Sequence, residues 1–161
     1  MVVEDEPDIY DVLLAMFEIW GIEGVAFVDG PDAIAWIEQV DQGRVRGELP
    51  ELAILDIRLP EGSGPEVGAR LRASPILHNI AIVLITAFSL SPEQERDNIA
   101  LAQADLLLYK PLPAMPELRK QLDTVLAQRK QAKANGRGTV SSANKPPSHP
   151  PKHTDTGSES T

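Results

Sequence analysis

Short apolar runs alternate with helical repeats of apolar residues over most of the chain. The runs are typical of strands buried in a parallel sheet, and they predict five strands, at Met1 to Val3, Val25 to Val28, Leu52 to Ile57, Ile80 to Thr86 and Leu106 to Tyr109. The repeats predict five helices, at Asp8 to Trp20, Pro31 to Val40, Pro65 to Ala73, Pro92 to Gln103 and Met115 to about Ala132. Strict alternation predicts a doubly wound, flavodoxin-like α/β fold, (βα)5, with a five-stranded parallel sheet of order 2-1-3-4-5, because right-handed crossovers leave few alternatives.

Local signals predict where some elements end. Gly21 follows the first helix, where a glycine commonly stops a helix, and Asp29 can cap the start of the second. Only Met1 to Val3 precede the first acidic pair, whereas a strand usually has about 5 or 6 residues. A misassigned start or an excised fragment would explain this short first strand, which we expect to be weakly paired.

Composition suggests one folded domain, residues 1–132, and a disordered C-terminal tail, residues 133–161. The chain has 161 residues and 42% hydrophobic composition, enough for one packed core. The tail is rich in Ser, Thr, Pro, Lys, Gly and His, so it cannot bury enough apolar surface to offset its chain entropy. We therefore expect no second folded domain.

Charge and residue usage exclude several function classes. Residues 1–127 carry 9 Lys and Arg against 22 Asp and Glu, whereas residues 128–161 carry 6 against 2. An acidic body argues against direct nucleic acid binding, which needs clustered basic residues. The chain has no cysteine and no long apolar stretch, so we expect no disulfide, no membrane insertion and a cytoplasmic location.

Polar residues stand at the carboxyl ends of four predicted strands. Glu4 and Asp5 follow the first strand, Asp56 lies near the end of the third, Thr86 ends the fourth and Lys110 follows the fifth. Because these strand ends share one crevice in an open parallel sheet, the side chains should converge. Three carboxylates repel one another unless a cation neutralises them, and Mg²⁺ prefers such oxygen ligands.

This set of groups suggests phosphoryl transfer. Asp56 is the best nucleophile, because a carboxylate can attack phosphorus to form an acyl phosphate. Glu4 and Asp5 would hold the metal, while Lys110 and the Thr86 hydroxyl would contact phosphate oxygens.

Several short motifs carry a resemblance to a known family. They are Val3-Glu4-Asp5-Glu6-Pro7, Leu55-Asp56-Ile57-Arg58-Leu59-Pro60, Gly64, Ile85-Thr86-Ala87 and Tyr109-Lys110-Pro111. In this order and at these strand ends, they resemble the receiver domain of two-component response regulators, of the stand-alone, chemotaxis-regulator-like kind. The resemblance spans residues 1 to about 130.

The resemblance implies a phosphorylation site and a metal site. Asp56 would take a phosphoryl group from a histidine kinase or a histidine phosphotransfer protein. Asp5, Asp56 and the backbone carbonyl of Arg58 would bind Mg²⁺, with Glu4 acting through metal-bound water. We expect the Arg58 side chain to be solvated in its loop, although it could touch the phosphoryl group.

The resemblance also implies a switch. Lys110 would pair with the phosphoryl group, and Thr86 would turn inward to bind it, shifting the loop that begins at Ala87. The shift would change the face formed by helix 4, strand 5 and helix 5, where an unknown target protein would bind. The family usually has an aromatic residue three positions before the lysine, and here that position is Leu107. Tyr109 lies on the same strand face and either replaces that residue or simply covers the end of the sheet.

Other functions remain open at this point. The chain could be a receiver fragment of a hybrid histidine kinase or an unphosphorylated scaffold. An Mg²⁺-dependent phosphatase of the haloacid dehalogenase type also uses an aspartyl nucleophile, but it needs a second Asp two residues later, where this chain has Arg58. In a simpler interpretation of the motifs, Glu4 and Asp5 cap a helix, while Thr86 and Lys110 only end strands.

Overall fold

Five parallel strands and five helices alternate along the chain in the structure, a computed structural model that describes residues 1–138 and the side chains of residues 1–135. The strands are β1 Val2–Val3, β2 Ala26–Phe27, β3 Leu52–Asp56, β4 Ala81–Thr86 and β5 Leu106–Tyr109. The helices are α1 Pro7–Ile19, α2 Gly30–Asp41, α3 Gly64–Ala73, α4 Pro92–Ala102 and α5 Met115–Gly138. The sheet order β2-β1-β3-β4-β5 confirms the predicted doubly wound topology.

The first two strands are shorter than the central ones. Val2 and Val3 pair with Ala26 and Phe27 on one side of β1, and β1 also pairs with β3 on its other side. The prediction that β2 includes Val25 and Val28 was wrong. β2 lies at an edge of the sheet and pairs only with β1, whose two residues limit the length of the paired strand. The centre of the sheet is firmer, since β3 and β4 pair along five residues, from Leu52 with Ala81 to Asp56 with Ile85.

Alternate residues of the buried strands feed two hydrophobic clusters, one on each face of the sheet. The cluster under α2, α3 and α4 includes Val3, Leu55, Leu84, Ile37 and Leu71. The cluster under α1 and α5 includes Val2, Ile54, Val83, Leu13 and Leu118. Because both faces are covered, polar side chains can gather only at the ends of the strands, which positions the candidate site.

Helix ends follow the local sequence signals. Asp29 accepts a hydrogen bond from the backbone N–H of Asp32 at 2.8 Å, which confirms the predicted cap of α2. Gly21 follows α1 with a φ of +67°, a conformation that favours glycine. Within α1, Leu13 is buried, whereas its neighbour Val12 is 46% exposed.

The last helix extends past its predicted end near Ala132 and reaches Gly138. Arg129 binds Asp105 at 2.7 Å and Lys130 pairs with Glu51 at 3.3 Å, so the helix keeps contacts with the body beyond its apolar stripe. The rest of the predicted tail, residues 139–161, lies outside the described residues. Within residues 1–138, no helix is both long and apolar enough to cross a membrane.

Candidate functional site

Three carboxylates meet where β1 and β3 end. Oxygen atoms of Glu4, Asp5 and Asp56 all lie within 4.8 Å of one another. Glu4 continues the pairing of β1 with β2 through its N–H bond to Phe27, and its side chain is fully buried. Asp56 is the last residue of β3 and is also buried, whereas Asp5 is exposed. The structure thus brings together the three acidic residues that the sequence indicates.

A glycine allows the next helix to start directly against Asp56. Gly64 is the first residue of α3, and a Cβ there would lie 2.8 Å from the carbonyl carbon of Asp56 and 3.1 Å from the Cβ of Leu55. No side chain fits at such distances without moving the backbone of β3. The position of Asp56 therefore depends on a residue eight positions further along the chain.

Lys110 supplies the positive charge of the site. It follows β5, and its Nζ lies 2.6 Å from Asp56 Oδ2, 2.9 Å from Glu4 Oε2 and 2.8 Å from Glu6 Oε1. The Lys110 side chain is only 6% exposed, so these ion pairs are largely shielded from water. The peptide bond between Lys110 and Pro111 is cis.

The pKa values of Glu4 and Lys110 are both raised, but for different physical reasons. Burial raises the pKa of Glu4 above its ordinary value, the Lys110 ammonium and the N–H of Glu6 oppose this rise, and the Asp56 charge adds to it. Burial alone would lower the pKa of Lys110, but hydrogen bonds to Asp56, Glu6 and Glu4 outweigh it and raise that pKa. The lysine therefore stays charged while it faces three carboxylates.

Backbone N–H groups hold the other polar side chains of the site. The N–H of Arg58 donates to Asp56 Oδ1 at 2.8 Å. Thr86 ends β4 and is buried, and its Oγ1 accepts a hydrogen bond from the N–H of Phe88 at 3.2 Å. Ala87, between them, is exposed. The hydroxyl of Thr86 is thus tied to its own loop rather than to the carboxylates.

The Arg58 side chain does more than extend into solvent. It is exposed, as the sequence suggests, but its guanidinium carbon lies 3.7 Å from the centroid of the Phe88 ring. That distance is well inside the range of a cation–π interaction. The loop after β3 and the loop after β4 are therefore in direct contact beside Asp56.

The two residues of β5 singled out from the sequence differ in their surroundings. Leu107 packs against the hydrophobic cluster under α2, α3 and α4. Tyr109 is 40% exposed, and its hydroxyl donates to Glu95 of α4. This hydrogen bond is the first cause of the raised pKa of Tyr109. Tyr109 therefore connects the end of the sheet to α4. A tyrosine that only covered the end of the sheet would not need this hydrogen bond.

The donor set fits a hard divalent cation. Every potential ligand atom of the cluster is a carboxylate oxygen, and the buried Glu4 Oε2 has Lys110 Nζ 2.9 Å away. Exposed Asp5 leaves one side of the cluster open to water, which suits Mg²⁺ because that ion keeps several waters. Asp56 and Asp5 can therefore share an ion without forming a closed cage.

Comparison with known proteins identifies the family. Residues 1–123 match the family model of the response regulator receiver domain. The chain belongs to this family, which confirms the resemblance drawn from its motifs.

Individual relatives are similar over part of their length. Protein Rrf1 of Nitratidesulfovibrio vulgaris is 33% identical over 89 residues, 55% of this chain and 59% of the relative. The phosphate regulon transcriptional regulatory protein PhoB of Rhizobium meliloti is 33% identical over 129 residues, 80% of this chain and 52% of the relative. The chain thus spans little more than half of these two proteins.

A solved structure supports the fold match. The receiver domain of a sensor histidine kinase from Pseudomonas aeruginosa PAO1, with a magnesium ion coordinated in its active site cleft, is 27% identical with a TM-score of 0.63. The match covers 78% of this chain and 94% of that one. Receiver domains therefore occur in kinases as well as in regulators.

Sequence reasoning missed two participants in the site. Glu6 contacts Lys110, although the motifs assign no role to it. The sequence did carry a signal for Glu6. It directly follows Glu4 and Asp5 at the end of the first strand, so its carboxylate could be expected near the same crevice. Phe88 carried no signal, because nothing in one sequence shows that it meets Arg58.

Proposed function

We propose that this receiver domain accepts a phosphoryl group on Asp56 and acts in phosphorelay signalling. The contact between Asp56 Oδ2 and Lys110 Nζ, beside two further carboxylates, carries the proposal. A buried carboxylate, a shielded ammonium group and further carboxylate oxygens lie together at this point, which supports the proposal. Intact-protein mass spectrometry after incubation with acetyl phosphate tests it.

The chemical step transfers a phosphoryl group from a histidine nitrogen of the donor to a carboxylate oxygen of Asp56. An Asp56 carboxylate oxygen attacks the phosphorus of a phosphohistidine, an oxygen–phosphorus bond forms, and the nitrogen–phosphorus bond breaks. The electron pair returns to the imidazole nitrogen of the donor, which takes up a proton. Lys110 remains beside the new acyl phosphate and offsets its negative charge. Water later attacks the phosphorus, releases phosphate and restores the carboxylate.

Asp5, Asp56 and the backbone carbonyl of Arg58 would hold Mg²⁺, with Glu4 acting through a metal-bound water. When bound, Mg²⁺ would offset the negative charge of these carboxylates and of the phosphoryl group. The clustered oxygens of Glu4, Asp5 and Asp56 support this assignment.

Replacing Asp5 by Asn should weaken Mg²⁺ binding. Mg²⁺ should raise the melting temperature of the wild type, because a ligand that binds only the folded state stabilises it. Asp5→Asn should lose most of that rise, since an amide is a weaker ligand than a carboxylate. The same change at exposed Asp11 of α1 is the control and should keep the full rise. An equal rise in all three proteins would contradict the metal assignment.

The proposal includes an output and a donor. The donor is a histidine kinase or a histidine phosphotransfer protein in the cytoplasm. After the transfer, Thr86 turns towards the phosphoryl group as the loop that begins at Ala87 moves. The changed face of α4, β5 and α5 then binds a target protein. Tyr109 supports this role for the face, because its bond to Glu95 joins β5 to α4.

One alternative function is supported by a specific observation. The similarity to the receiver of a sensor histidine kinase favours a receiver that belongs to a hybrid kinase. In that case the phosphoryl donor would be a histidine of the same polypeptide. The scaffold alternative is less favoured, because Asp5, Asp56, Thr86 and Lys110 are all in place. The phosphatase alternative would need an acid where Arg58 instead stacks on Phe88.

A further inference from the structure

The contact between Arg58 and Phe88 closes a ring of interactions around the phosphorylation site. Arg58 donates its backbone N–H to Asp56, and Phe88 donates its backbone N–H to Thr86. The two side chains then stack at 3.7 Å, while Asp56 pairs with Ile85 across β3 and β4. Each residue stands two positions after a functional residue. The stack therefore connects the two loops that carry the site.

The ring constrains Thr86. Its Oγ1 accepts the N–H of Phe88, which keeps the hydroxyl oriented towards its own loop. A Thr86 rotamer that carries Oγ1 towards a phosphoryl group on Asp56 would lengthen this bond or draw the backbone of Phe88 with it. Moving Phe88 in turn separates its ring from the Arg58 guanidinium. The stack is therefore an interaction of the unphosphorylated arrangement.

We propose that Arg58 and Phe88 form a clasp that holds the β4–α4 loop in its unphosphorylated position and opens as Thr86 engages the phosphoryl group. The inference rests on the proposed phosphorylation of Asp56. Arg58 and Phe88 are positioning residues in this account, because they act through Thr86. With Leu107 in place of the usual aromatic residue of β5, the clasp provides a separate aromatic contact on the moving loop.

Opening the clasp should shift a pre-existing equilibrium. Losing a cation–π contact at an exposed site should change the equilibrium constant between the two loop positions about two- to five-fold. Without it, more molecules would occupy the arrangement in which Thr86 faces Asp56. Since the Thr86 hydroxyl would stabilise the transferring phosphoryl group, phosphorylation should become faster by a similar factor.

A double-mutant cycle tests the clasp. Phe88→Leu removes the aromatic face but keeps an apolar side chain, and Arg58→Ala removes the cation. The rate of phosphoryl uptake from acetyl phosphate with Mg²⁺ is followed by intact mass. Phe88→Leu should raise this rate about two- to five-fold in the presence of Arg58 and leave it unchanged in the Arg58→Ala background.

Two controls separate the clasp from simpler effects. Phe88→Tyr keeps the aromatic face and should behave as the wild type. Arg44→Ala removes another exposed arginine, from the loop between α2 and β3, and should not change the rate of phosphoryl uptake. Because both clasp residues are exposed, all variants should keep the wild-type melting temperature.

Amide NMR shifts give a readout that does not depend on donor access. In the unphosphorylated protein, Phe88→Leu should move the signals of residues 86–90 towards their phosphorylated positions. An effect of Phe88→Leu that is equal in both backgrounds, or absent, would overturn the clasp. If the wild type gains no phosphoryl mass, the proposed function fails in the parent protein and the clasp has no switch to hold.

Discussion

Lys110 is the residue on which the electrostatics of the site depend. Its ammonium faces the buried carboxylates of Glu4 and Asp56 and the more exposed Glu6. Removing one partner of a buried ion pair costs more than the pair itself contributes, because a charge is left without compensation. The lysine therefore supports the fold as well as the proposed chemistry.

Replacing Lys110 by Met should destabilise the metal-free protein by about 3 kcal/mol at neutral pH. The raised pKa of Lys110 means that its stabilising effect is fully present below pH 10.5, its ordinary value, and is lost as the pH rises towards the higher folded value. The difference in free energy of unfolding between the wild type and Lys110→Met should therefore become smaller above pH 10.5. Urea unfolding across this pH range measures it.

Lys120→Met is the matched control for this prediction. Lys120 is an exposed lysine of α5, so its loss should change stability little at any pH. A Lys110→Met protein as stable as the control, or a gap that does not narrow in alkali, would contradict the account of Lys110.

Sequence alone predicted most of the residues of the site but not all of their contacts. Asp56 and Lys110 could be placed together because each stands at a strand end, and strand ends meet in a parallel sheet. The stack of Arg58 on Phe88 could not be predicted, because the exact course of two loops decides it. Loop geometry depends on contacts that periodicity does not record.

At the scale of elements, the start of α3 fixes the end of β3. Gly64 begins the helix in contact with the backbone of Asp56, where a Cβ would not fit. Two elements can approach this closely only because the side chain is missing at the crossing point.

Replacing Gly64 by Ala should therefore move β3 and α3 apart and destabilise the fold by about 1–3 kcal/mol. The displaced Asp56 should also accept phosphoryl groups more slowly. Gly24→Ala is the control, because a Cβ at Gly24 would meet no atom within 4 Å. Thermal melting and phosphoryl uptake of the two variants measure both effects. A Gly64→Ala protein that matches the Gly24→Ala control would show that this close approach is not needed.

Element boundaries show where the sequence carried less information. The interior strand β4 was predicted to within one residue, because a long apolar run leaves little choice. The edge strand β2 was predicted too long, because its extent depends on the short β1 rather than on its own residues. Helix α5 was predicted too short, because its apolar stripe stops at Leu126 and the residues after Ala132 carry no apolar repeat that would indicate the end at Gly138.

At the scale of the whole molecule, the fold gathers the carboxylates of the candidate site and Lys110 at the carboxyl ends of the strands. Both faces of the sheet are covered by apolar contacts. The functional side chains therefore gather at the strand ends, together with the cation that balances them. The proposed function therefore depends on phosphorylation of Asp56.

Intact-protein mass spectrometry after incubation with acetyl phosphate tests that claim most directly. The wild type should gain the mass of one phosphoryl group when Mg²⁺ is present and little without it. Asp56→Asn removes the nucleophilic carboxylate at nearly constant shape, so it should keep the fold and gain none. An undiminished gain in Asp56→Asn, or no gain in folded wild-type protein, would contradict the account.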